Sequence, residues 1–182
     1  KKWILKTLDL LDELWKRKNI KIESIILVGE EAITDKSYTN KVFKKISNSK
    51  YLSQKIEYRG FLWKQEFLTL LEDQVNVFIW HFQRSRDGDQ DGIPNMITEN
   101  MLIGNMVFST LAGGIADILE NDQTGYILRG NLKEDADVFE KIFIQKSQND
   151  MNKINENARR YIEENCDIQK QVLSMKDIIL KW

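Results

Sequence analysis

Leu5, Leu8, Leu11, Leu14 and Trp15 recur at the i, i+3, i+4 spacing of one helical face. That stripe predicts a helix over residues 5–18, ending in Lys16, Arg17 and Lys18, where the helix dipole favours cations. Residues 24–28 (SIILV) form a short apolar run closed by Gly29, the pattern of a strand buried on both faces. A weaker helix is predicted over 36–49, and an alternating strand over 56–61 that meets Gly60. Residues 65–71 read as helix, and 75–80 (VNVFIW) as the strongest strand in the chain. The pattern then predicts a helix from Pro94 to Ile103, a strand over 106–109, a short helix over 114–120 and a short strand over 125–128. Three polar-faced helices are predicted to follow, over 134–146, 151–164 and 168–180.

Strands alternating with helices imply βαβ units, with parallel strands and right-handed crossovers. The expected fold is therefore α/β, a Rossmann-like parallel sheet flanked by helices, in one domain spanning residues 1–182. Ligands in such sheets bind beyond the carboxyl ends of the strands. The loop leaving the strand at 75–80 is thus the place to look for chemistry.

Composition narrows the function classes. Lys plus Arg (27) nearly balance Asp plus Glu (28), so no global charge draws nucleic acid, and any anion site must be local. Cys166 is the sole cysteine, which excludes an internal disulfide and suits a reducing, cytoplasmic compartment. No apolar run approaches the length of a bilayer span. Amphipathic sequence begins almost at Lys1, so a fragment of a longer protein is expected.

The loop opens DGDQDG, with Asp87, Asp89, Asp91 and Gly92 spaced like the front of a calcium loop. Its twelfth position is Thr98, however, and Glu99 comes one residue late, a rotation of roughly 100° on a helix. Upstream lies a strand, where a calcium loop of this type needs a helix. The rival reading begins at Pro94, the only proline, set where a helix starts. The N–H groups of Asn95, Met96 and Ile97 would then face outward at the positive helix end, a cradle for a diphosphate. Gly92 lets backbone approach a ligand closely. Residue chemistry alone leaves this anion site level with a plain helix cap carrying Glu99 on a solvated face.

Residues 91–119, DGIPNMITENMLIGNMVFSTLAGGIADIL, resemble the signature of retaining GT-B glycosyltransferases. In that family an acid, seven residues and Glu-Ala-Met are followed by a small-residue turn, a strand and a Gly-Gly turn. The turn at Gly60 to Leu62, NDQTGYIL at 121–128 and NARRYIEEN at 157–165 also resemble family segments, in order along the chain. The resemblance implies the C-terminal, donor-binding half of a GT-B fold, with the acceptor held by an N-terminal domain. It implies a hexosyltransferase that uses a nucleotide diphosphate sugar with retention, serves polysaccharide or glycoconjugate synthesis, and needs no metal or cofactor. The acceptor would be a sugar or a lipid-linked acceptor, with peripheral association at the inner membrane face, and the isolated domain would transfer poorly or not at all. A non-catalytic sugar-nucleotide-binding module and a calcium-binding domain are the rivals.

Carried across by position, Asp91 is implied as the catalytic-site acid on the transferred sugar, and Glu99 as the acid on the ribose. Gly92, Ile93, Pro94 and Asn95 would line sugar and diphosphate with their backbone. Lys2 would neutralise the diphosphate, Gly113 and Gly114 would turn beside the donor, and Gly60 and Phe61 would lie near the base. Asp91 departs from the usual Glu, Asn100 from the usual Ala, and Trp3 from the usual Gly; Asn100 is expected to crowd its helix. His81 receives no catalytic role. Trp15, Trp63 and Trp80 are expected to pack, Phe61 has core as its plainer reading, and Lys16 to Lys18 are expected to be solvated.

Overall fold

The computed structural model describes residues 3–30, 35–81 and 92–166. Helix α1 (Trp3–Arg17) leads into strand β1 (Ile25–Val28), and α2 (Lys36–Asn48) with the single turn α3 (Leu52–Lys55) carries the chain to β2 (Ile56–Gly60). Helix α4 (Lys64–Gln74) leads to β3 (Val77–Trp80), α5 (Asn95–Ile103) to β4 (Met106–Thr110), and a 3-10 turn (Gly113–Asp117) to β5 (Tyr126–Leu128). Helices α6 (Leu132–Gln145) and α7 (Gln148–Asn165) follow. The helix expected over 168–180 lies outside the described residues.

Among the described residues every strand pairing is parallel, as the alternation of strand and helix requires. Among the described residues, five strands form two sheets, β1–β2 and β3–β4–β5. All five residues of β4 are buried, and alternate side chains serve opposite faces. Met106 and Phe108 pack with Leu10 and Leu14 of α1 and with Ala136, Phe139 and Ile142 of α6. Phe108 stacks on Phe139 with ring centroids 3.9 Å apart and on Tyr126 at 5.1 Å. Val107 points the other way, into Ile97 and Met101 of α5 and Ala158 and Ile162 of α7. A third cluster joins Leu8 and Leu11 of α1 to Val42, Tyr51 and Leu52.

Local chemistry explains the helix ends. Asp35 accepts from the Tyr38 N–H at α2, and Asn131 accepts from Lys133 and Glu134 at α6. That cap starts α6 at Leu132, two residues before the predicted start. Ser147 and Asp150 form a capping box at α7. Gly104, at φ +98°, ends α5 in the left-handed conformation that glycine adopts without a Cβ clash.

Several expectations need correction. The stripe on α1 omits Leu10, which is buried because α1 lies between two clusters rather than against one. Trp15 is 42% exposed and stacks on Tyr51 at 5.2 Å, covering the core edge instead of entering it. β1 is half-buried along its length, not buried on both faces. The short helix expected over 114–120 is a 3-10 turn starting at Gly113.

Arg17 is no solvated helix end. Its guanidinium donates to Asp137 at 2.6 Å and Glu140 at 3.1 Å on α6, and to Glu13 at 3.2 Å on its own helix. The bond to Asp137, followed by those to the two glutamates, holds its pKa well above the ordinary arginine range despite opposing desolvation.

Candidate functional site

The predicted site lies at the carboxyl ends of β2, β3 and β4. Asp87, Asp89 and Asp91, and likewise Lys2, fall outside the described residues; Gly92 onward is described. Pro94 caps α5 with φ −62° and ψ 127°, so Asn95, not the proline, is the first helical residue. The proline carbonyl accepts from the Ile97 N–H at 2.9 Å, which removes one of the three donors expected to face outward. The N–H groups of Asn95 and Met96 meet no acceptor among the described residues. Two donors thus remain at the positive end of a nine-residue helix.

Glu99 lies on the second turn of α5 with its side chain 24% exposed, and its carboxylate stands 3.7 Å from the Lys64 ammonium at the start of α4. The fold therefore brings Glu99 to the β2–α4 turn. Gly60 bends that turn at φ +64°, and its carbonyl accepts from the Gly29 N–H at 2.9 Å, tying the ends of β1 and β2. Phe61 and Trp63 follow, 55% and 72% exposed, edge to face at 5.3 Å. Neither is core, which corrects the packing expected of Trp63 and the plainer reading of Phe61. The Trp63 N–H donates to Glu66 at 2.9 Å, which fixes the turn where the chain enters α4.

On the other side of α5, Gly113 turns the chain at φ +55°. The Gly114 N–H donates to the Gly92 carbonyl at 3.1 Å, joining the Gly-Gly turn to the segment that enters α5. Asn100 does not crowd its helix. Fully buried, it donates to the Met96 carbonyl at 2.7 Å and accepts from the Asn105 amide at 3.1 Å. That bond braces the first turn of α5 from behind.

A cavity of about 500 Å³ opens at the carboxyl ends of β3, β4 and β5, lined in part by Lys6, His81, Thr110 and Arg129. His81 is buried, with Nδ1 2.9 Å from the Thr7 hydroxyl and Nε2 3.5 Å from the equally buried Asp135. Asp135 also accepts from the Arg129 N–H at 2.7 Å. His81 thus links α1, the end of β3 and the start of α6. Burial raises the Cys166 thiol pKa, the opposite of what a reactive thiolate needs. Among the described residues, no three His, Cys, Asp or Glu side chains stand together to hold a metal.

Residues 1–161 match the family model of glycosyl transferases group 1. The chain belongs to that family. A relative of this glycosyltransferase chain is the putative colanic acid biosynthesis glycosyltransferase WcaL of Escherichia coli K12. It is 29% identical over 123 residues, which are 68% of this chain and 30% of WcaL. WcaL of Salmonella typhimurium LT2 is 34% identical over 80 residues, 44% of this chain and 20% of that protein. The chain thus aligns with under a third of each of these curated relatives. Anabaena HepE, solved with UDP and glucose, superposes at TM-score 0.77 and 16% identity, over all of this chain and 46% of HepE. The C-terminal domain of the Francisella tularensis group 1 protein LpcC superposes at TM-score 0.70 and 16% identity, over 90% and 78%. These likenesses confirm the GT-B type of α/β fold.

In this glycosyltransferase chain, the fold brings together Gly92, Ile93, Pro94, Asn95, Gly113 and Gly114 around the start of α5. Glu99 stands apart from them, toward Gly60 and Phe61. Sequence reasoning missed Lys64 as the partner of Glu99 and missed the exposure of Trp63. Neither carries a periodic signal, because both depend on how α4 lies against α5.

Proposed function

We propose that this chain is the donor-binding half of a retaining hexosyltransferase that takes a nucleotide diphosphate sugar. The observation that carries the reading is the start of α5, with two N–H donors that meet no acceptor among the described residues, and with Glu99 one turn deeper beside the β2–α4 turn. A diphosphate suits the donors electrostatically. An ionised carboxylate accepts two hydrogen bonds, so Glu99 suits the vicinal hydroxyls of a ribose, with the base toward Gly60 and Phe61. Asp91, just ahead of Gly92, would hold the transferred sugar, and Lys2 the diphosphate. Charge gathering on the departing diphosphate would be stabilised by donors already in place, an electrostatic contribution that needs no metal.

The complex of HepE with UDP and glucose supports a nucleotide-sugar donor, and the naming of WcaL supports polysaccharide synthesis. No helix among the described residues is long and apolar enough to cross a membrane. The reading places the reaction in the cytoplasm, at the inner membrane face, with the acceptor held by another part of the protein.

The test is calorimetric titration of UDP, GDP and ADP into the full-length polypeptide and its Glu99→Ala variant. Loss of hydrogen bonds to a charged group is worth about 1.5–3 kcal/mol, so one nucleotide should bind about 10- to 100-fold more weakly to the variant. Failure of all three nucleotides to bind, or unchanged affinity in the variant, overturns the reading.

A further inference from the structure

Two buried amides, Asn105 and Asn100, run in series from α4 to the first turn of α5. The Asn105 side-chain amide donates to the Leu71 carbonyl in the last turn of α4 at 3.2 Å and to the Asn100 side-chain oxygen at 3.1 Å. The Asn100 amide in turn donates to the Met96 carbonyl at 2.7 Å. Asparagine is a poor residue for a helix interior, because its side chain competes for backbone groups. α5 carries one there although, among the described residues, no side chain caps its start and no acid lies in its first turn. A helix of nine residues is held by its neighbours rather than by its own propensity. Ile97 and Met101 supply apolar contacts, which are non-directional. The amide series is directional, and away from water it specifies one arrangement of the two helices.

We infer that Asn100 is a positioning residue for the donor. Through the Met96 carbonyl it sets the first turn of α5, and with it the Asn95 and Met96 N–H groups, against α4. The inference rests on the donor reading, which puts the diphosphate on those N–H groups and the base at the β2–α4 turn. α4 meets both parts of that site. Lys64 at its start stands 3.7 Å from Glu99, and Leu71 in its last turn anchors the amides. The span between the base end and the diphosphate end of the ligand is therefore fixed by Asn105 and Asn100. Asn100 is fully buried and touches no ligand, so it acts on binding only through the backbone it holds. Removing its amide frees the first turn to shift, and a hydrogen bond to the diphosphate weakens steeply as its geometry departs from linear. Glu99 keeps its place beside Lys64. The loss falls on the diphosphate rather than on the nucleoside.

Titration of UDP, GDP and ADP, and of uridine, guanosine and adenosine, into the full-length polypeptide and two variants tests it, with a thermal melt of each. The variants are Asn100→Ala, and Asn100→Ala with Asn105→Ala. The second removes both partners, so it strands no buried amide and keeps the test readable if the first unfolds. For the nucleotide that binds the parent, both variants should weaken the diphosphate about tenfold while the matching nucleoside changes by less than about twofold. The double variant should regain melting temperature over the single one without regaining diphosphate affinity. A purely structural role lowers nucleoside and diphosphate affinity by the same factor, and that result overturns the inference. Unchanged diphosphate affinity in the folded variants overturns it too, as does affinity that returns with stability in the double variant. Failure of every nucleotide to bind the parent is a different result, which defeats the donor reading and this inference together.

Discussion

The Gly114 N–H donates to the Gly92 carbonyl at 3.1 Å, and a Cβ added to Gly114 would stand 2.8 Å from Cγ1 of Ile93. The Gly-Gly turn and the segment entering α5 are therefore in contact, with no room for a methyl group between them. Gly114→Ala must displace Ile93, an overpacking of about 1–3 kcal/mol. If the start of α5 binds the donor, that displacement moves the binding donors. Nucleotide diphosphate affinity should fall about tenfold in the variant, measured by calorimetry beside a thermal melt. A destabilised variant with undiminished affinity would separate this turn from the site.

Phe108 is the hub of the aromatic stack with Tyr126, Phe139 and Phe143, and it is fully buried. Phe108→Ala leaves a cavity between β4 and α6 that neighbouring rings cannot fill. Denaturant unfolding should show a loss of about 3–5 kcal/mol. A loss below 1 kcal/mol would mean that the stack is not the centre of this core.

Asp122 gives the stability a pH dependence at both ends. The bond from the Lys146 ammonium at 2.9 Å, and then that from the Tyr126 hydroxyl at 3.1 Å, lower the Asp122 pKa below the ordinary 3.8. A carboxylate with a lowered folded pKa contributes stability that is present above its unfolded pKa and is lost as pH falls through the folded one. Burial, and then the same bond, raise the Tyr126 pKa above the ordinary 10.0. Stability from that neutral phenol is complete below pH 10.0 and fades as pH rises beyond it. Melts across pH should therefore show Asp122→Asn with a flatter limb below about pH 4 and a less steep alkaline limb. Parallel limbs in parent and variant would remove Asp122 from both.

Most elements were legible because each rests on a local signal. The stripe on α1, the alternation into Gly60 and the lone proline before α5 each mark an element within a few residues of its observed place. What stayed hidden depends on neighbours far along the chain. Leu10 looked peripheral because a single stripe cannot show that α1 has a core on two sides. Arg17 looked solvated because Asp137 and Glu140 lie more than a hundred residues away. Residue type makes Trp63 a packing residue and gives Phe61 core as its plainer reading beside the place near the base that the resemblance implies, because an aromatic ring carries no mark of which side of a turn it will face. At the site, the motif marks the start of α5 and Glu99, whereas which donors there lack a partner among the described residues depends on the bond from Ile97 to Pro94.

The most direct test of the donor site is the amide spectrum of the isotope-labelled full-length polypeptide as a bound nucleoside diphosphate is titrated to saturation. The expected result is that the resonances of Asn95 and Met96 shift most, followed by those of Gly92, Gly113 and Gly114, while amides along the Arg17–Asp137 seam stay fixed. Saturable binding that leaves Asn95 and Met96 unmoved would contradict the assignment of the diphosphate to the start of α5.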